Sequence, residues 1–172
     1  MIRQTVAVSV ALAITGCASL APSLPAGYTG PQAELEDSAQ TFTSSKADFF
    51  VVEQIEGADV DNSLLKTISR SAGRGRHMTP LFFSRAIMAE KPVKVTIKGR
   101  THYGAPILAL AGTVHEIKGV VDFTPKSNAR YVVKGELGPH HSAVWIVEAE
   151  SNEVVGKKVE VHRSSKLGIL EK

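Results

Sequence analysis

Pro92-Val93-Lys94-Val95-Thr96-Ile97-Lys98 alternates without a break, with Val93, Val95 and Ile97 on one side of an extended chain and Lys94, Thr96 and Lys98 on the other. A helix would scatter these residues around its axis, whereas a strand sorts them into a core face and a wet face. The pattern recurs in both directions. Upstream, residues 48–55 are aromatic and β-branched and stop at Glu56-Gly57, and residues 81–87 form another candidate strand. Downstream come residues 103–110, then 114–123, where Ile117, Val121 and Phe123 oppose Glu116, Lys118 and Asp122. Residues 130–137 set Tyr131 and Val133 against Arg130, Lys134 and Glu136. Residues 142–149 contain Val144-Trp145-Ile146, apolar on both faces and so an inner strand, and residues 152–162 close the series. Asp61-Asn62 ahead of Leu64, Leu65 and Ile68 fits either one or two capped helical turns or an irregular strand. Strands spaced roughly 10 to 14 residues apart, with Gly, Pro, Asn and Ser between them, predict an all-β fold: an antiparallel two-sheet sandwich of about seven strands.

The front of the chain reads differently. Arg3 and the free amine precede an apolar run, Thr5 to Ile14, and small residues follow, which is the layout of an export signal. That run is far short of the ~20 helical residues that cross a bilayer core. Within it, Leu12-Ala13-Ile14-Thr15-Gly16-Cys17 resembles the lipobox of bacterial lipoproteins, with Gly16 before the cut and Cys17, the chain's only cysteine, as acceptor. The resemblance implies removal of residues 1–16 and a thioether-linked diacylglycerol on Cys17. In the Gram-negative family an Asp after the cysteine retains the protein in the inner membrane. Ala18 stands there in this chain, so the resemblance implies the periplasmic face of the outer membrane.

Residues 17–46, carrying Pro22, Pro25 and Pro31, are expected to be a tether that holds the domain tens of Å from the membrane, on the order of 3 Å per residue. A short first strand near residues 33–37 is a further candidate. The sandwich domain is assigned to residues 47–163 and a polar tail to residues 164–172. With Cys17 committed to lipid, the fold has no disulfide to rely on and must stand on packing.

Overall charge is mild, +3, but its distribution is not. Residues 17–61 carry eight acids and one base, and residues 62–104 nine bases and one acid. The basic block is read either as a contact for an anionic partner or as the complement of the acidic block together with solvated strand faces. Arg74 and Arg76, in the Gly-rich stretch Ser71-Ala72-Gly73-Arg74-Gly75-Arg76-His77-Met78, are the candidate anion contacts because a flexible loop leaves them free to reach. Nucleic acid is excluded by compartment.

Thr79-Pro80-Leu81, Arg85-Ala86-Ile87, the stretch from Val93 to Gly99 with Tyr103, and Ala129-Arg130-Tyr131-Val132-Val133-Lys134-Gly135 resemble small PEGA-like β-sandwich domains and bacterial lipoproteins of similar build. The tetrapeptide itself is absent, Met88-Ala89-Glu90-Lys91 occupying its turn. The resemblance implies an envelope-facing sandwich and brings no catalytic residue.

Catalytic and metal chemistry find little support in the sequence. His140-His141 are neighbours whose side chains diverge on an extended chain, the other histidines are scattered, and no His-Glu-x-x-His motif occurs. Asp59-Val60-Asp61-Asn62-Ser63 lacks the sixth-position Gly of a calcium loop and has Arg70 where its closing carboxylate belongs. No serine sits in a Gly-x-Ser-x-Gly turn, and Gly73-Arg74-Gly75 lacks the third glycine of a phosphate loop. Trp145 and Tyr131 are assigned to the core rather than to a sugar platform. The expectation is therefore a non-catalytic, lipid-anchored envelope protein without metal or cofactor, which binds or scaffolds an envelope protein or an anionic glycan or lipid. A peptidoglycan or lipopolysaccharide binding module and a hydrolase of unknown type are the alternatives.

Overall fold

The computed structural model describes residues 20–162 and 165–166. The lipobox residues Gly16 and Cys17 lie outside the described residues. In chain order the elements are β1 (Gln32–Glu36), β2 (Ser38–Gln40), β3 (Lys46–Ile55), β4 (Ala58–Asp59), α1 (Ser63–Ser71), β5 (Ser84–Met88), β6 (Val93–Tyr103), α2 (Pro106–Ala111), β7 (His115–Phe123), β8 (Arg130–Leu137), β9 (Ser142–Glu148), β10 (Val154–Val161) and β11 (Ser165–Lys166). Two sheets pack face to face, ordered β10-β9-β8-β1-β5 and β11-β7-β6-β3-β2, with β4 on β3. Neighbours are antiparallel except β1 and β8. This is the expected all-β sandwich.

Val93, Val95 and Ile97 are fully buried between the sheets, beside Phe50, Val52, Tyr131, Val133 and Ile146. Phe50 occupies a socket made by two glycines. It pairs with Gly99 on β6, and its ring lies where a Cβ on Gly135 of the opposite sheet would stand. Gly99 therefore sits inside β6, which continues to Tyr103 rather than ending before the glycine. Tyr131 meets Phe123 edge-on at 5.2 Å, and its buried hydroxyl accepts the Lys126 amide at 2.9 Å, so its one polar atom is satisfied.

The structure corrects the sequence reading in several places. The domain starts earlier than residue 47: β1 lies between β8 and β5 in one sheet, and β2 edges the other. The chain passes from sheet to sheet through Asp37 alone, whose amide donates to the Phe83 carbonyl at 3.0 Å. Upstream of β1 the chain is pinned too. The Ala21 amide donates to the Asp59 carbonyl at 2.7 Å, and the Ala89 amide to the Pro31 carbonyl at 2.9 Å. Residues 20–31 therefore do not provide a stand-off of tens of Å.

Of residues 103–110, only Tyr103, the last residue of β6, belongs to a strand. Pro106 cannot donate to a ladder and suits the first turn of a helix, and Pro106-Ile107-Leu108-Ala109-Leu110-Ala111 forms α2. Leu81 and Phe83 also stay out of the sheets, because their amides are taken by Thr67 Oγ1 and Ser63 Oγ of α1. Ser165 and Lys166, assigned to the tail, pair with β7. Among the described residues no helix is long and apolar enough to cross a membrane.

Candidate functional face

Helix α1 lies against the outer side of β3. Its start is fixed twice: the Asn62 side chain accepts the Leu65 amide at 3.0 Å, and Asp37 Oδ2 accepts the Ser63 amide at 2.7 Å, each satisfying a donor that a helix N-terminus leaves open. The same Asp37 carboxylate accepts the Val52 amide and pairs with Arg85 at 2.8 Å, both side chains being buried. Arg85 Nη2 also donates to the Asp61 carbonyl, and its guanidinium stacks near Phe83. Inward, Leu64 joins Ala47, Phe49, Val51 and Met78 in a second apolar cluster. Outward, Leu65, Ile68 and Ala72 stand at i, i+3 and i+7, and all three are exposed.

Beyond α1 the chain turns through Gly73 (φ +77°) and Gly75 (φ +66°), left-handed positions that glycine adopts without steric cost. Arg70, Arg74 and Arg76 are exposed. The loop comes down on Gly104, where a Cβ would collide with the Arg76 carbonyl, and it is tied by the Met78 amide to the Ser44 carbonyl at 2.8 Å. This contact sets α2 beside the basic loop. None of the six α2 residues is buried; Ile107 is 65% exposed and Leu110 52%.

Between loop and helix lies a cleft of about 370 Å³, with Ile68, Ser71 and Gly75 on one wall and Arg100, His102 and Pro106 on the other. Arg100 is engaged by Glu116. Burial, followed by the charge of Arg100, holds the His102 imidazole below its usual range, so at neutral pH it adds no charge to the cleft. The Ser71 hydroxyl is buried without a hydrogen-bond partner among the described residues. A second groove, about 590 Å³, runs along the other flank of α1 between Leu20, Leu65 and Arg70.

Of the basic block, Lys66 pairs with Asp61, Arg85 with Asp37 and Lys98 with Glu53, which is the pairing of basic with acidic block weighed from the sequence. Lys118 also reaches Glu53. Burial raises Glu53, but Lys118 and Lys98 outweigh it and hold the carboxyl below its usual range. Arg70, Arg74 and Arg76 form no ion pair with the described residues. His141 bridges Glu136 and Glu160 on the far sheet, at 3.0 and 3.3 Å. Among the described residues no three metal-ligating side chains converge.

Tyr131 is in the core as expected, but Trp145 is not. It sits on the outer side of β9, partly exposed, with Lys158 Nζ 4.5 Å from its ring centre. Alternation decides this: Val144 and Ile146 point inward, so Trp145 points out. Comparison of the chain with protein-family models, curated proteins and solved structures finds no match. The feature of this face that the sequence reading missed is the exposed α2. Its signal was present in the proline followed by Ile-Leu-Ala-Leu-Ala, strong helix formers apart from Ile107.

Proposed function

We propose that this is a lipid-anchored cell-envelope protein, attached through Cys17 to the periplasmic face of the outer membrane, with a non-catalytic role in binding or scaffolding another envelope component. The observation that carries the reading is the chain's one cysteine falling in the acceptor slot behind an export-type segment. Acyl chains there supply membrane affinity at about 0.8 kcal/mol per buried methylene, and two or more make attachment stable. The intact mass of the native protein tests the reading directly, with a diacylglycerol and an acyl chain expected on Cys17. Cys17→Ser should leave the chain unprocessed or release it from membranes; a Cys17→Ser form that matures and stays membrane-bound refutes the anchor.

A second reading, a module for peptidoglycan or lipopolysaccharide, draws on the exposed Arg74 and Arg76 beside the cleft. Retention on isolated sacculi or immobilised endotoxin, lost in an Arg74→Ala/Arg76→Ala variant, would favour it.

A further inference from the structure

We infer that the α1–loop–α2 face lies flat on the anionic leaflet in which the anchor is embedded, so that the domain is docked on the membrane rather than held away from it. The inference rests on the anchor reading above and adds an orientation to it.

The first argument is chain length. Leu20 is three residues beyond Cys17, and an extended chain spans at most about 3.6 Å per residue, so the acyl chains enter the bilayer within about 11 Å of Leu20. Leu20 itself lines a groove with Leu65 and Arg70 of α1, and the next residue is tied to Asp59. The face that carries α1 is thus brought to the membrane by covalent connectivity.

The second argument is what this face presents. Leu20, Leu65, Ile68, Ile107 and Leu110 are between 42% and 65% exposed, and Arg70, Arg74 and Arg76 lie among them. Of the acids on neighbouring elements, Asp61 is engaged by Lys66, Glu53 by Lys98 and Lys118, and Glu116 by Arg100; Asp59, which forms no ion pair with the described residues, accepts the Gln54 side-chain amide at 2.8 Å. Apolar side chains that enter the acyl boundary, flanked by unpaired arginines for lipid phosphates, are the composition of an interfacial element. A helix with no buried residue gains little by folding against its own domain. Contact with acyl chains gives its apolar side chains somewhere to go.

Cys17 would be blocked as a thioether, so any introduced cysteine is the only reactive thiol. Lipidated full-length protein carrying Leu65→Cys, Ile107→Cys or, as control, Ser151→Cys in the β9–β10 turn of the other sheet is labelled with an environment-sensitive fluorophore. Each is reconstituted into vesicles of phosphatidylethanolamine and phosphatidylglycerol. The expected result is blue-shifted emission and quenching by nitroxide-bearing lipids at 65 and 107, and aqueous emission at 151. Arg70→Glu/Arg74→Glu/Arg76→Glu should return both probes to aqueous emission while the protein still floats with the vesicles. Aqueous emission at 65 and 107 in floating, lipidated protein overturns the docking and leaves the anchor standing. So does shielding that persists in detergent and rises with protein concentration, which would assign the face to a second copy. An unmodified Cys17 in the mass spectrum of the same sample overturns both readings, independently of the probes.

Discussion

Asp37 and Arg85 are the residues on which the two sheets turn. Asp37 is the single residue between β1 and β2, and its carboxylate takes one amide from β3, one from α1 and the Arg85 guanidinium. Removing one partner of a buried pair leaves the other charge without compensation, which costs about 3 to 5 kcal/mol. Asp37→Asn should therefore lower the urea midpoint steeply, with the slope of the transition unchanged. His102 offers a titration instead. Packed edge-on to Phe49 at 6.4 Å, it resists protonation when folded, whereas in the unfolded chain it takes up a proton near its ordinary value of about 6.5. Stability conferred by the neutral ring is present above that pH and lost as pH falls through the lower folded value. His102→Gln should flatten this part of the profile of stability against pH, while leaving the acid limb set by Glu53 and other carboxylates in place.

At the scale of elements, α1 is held mainly by polar devices at its start and by one leucine beneath it. Asn62→Ala removes the side-chain cap and should cost about 1 kcal/mol, measurable as a shift in thermal midpoint. The basic loop is held against α2 because residue 104 has no side chain. Gly104→Ala forces the Arg76 carbonyl away, and overpacking of this sort costs about 1 to 3 kcal/mol. Hydrogen exchange in residues 72–78 and 104–112 should rise in that variant while the sheet amides keep their protection.

For the whole molecule, the position of β1 makes the early residues indispensable. It joins β8 in parallel and β5 in antiparallel pairing, so without it β5 loses the one partner that it has among the described residues and the core loses Leu35. A chain beginning at residue 47 should show no dispersed amide spectrum and no cooperative unfolding, whereas one beginning at residue 20 should retain both. A folded fragment from residue 47 would show that the sheet closes without β1.

Sequence alone determined the strands whose two faces meet different surroundings. Residues 93–98 and 130–137 alternate because one side packs and the other does not, and that period is written into the chain. The apolar run near the start and the cysteine at its end are local patterns too, and they carry the proposed anchor. What only the tertiary structure decided was non-local. That β1 is interior, that Gly99 and Gly135 make room for Phe50, that Trp145 faces out and that the basic loop rests against an exposed apolar helix all depend on residues far apart in sequence meeting in space. No local period encodes such a meeting, because packing against a partner, rather than intrinsic preference, chooses among the conformations that a short segment can adopt.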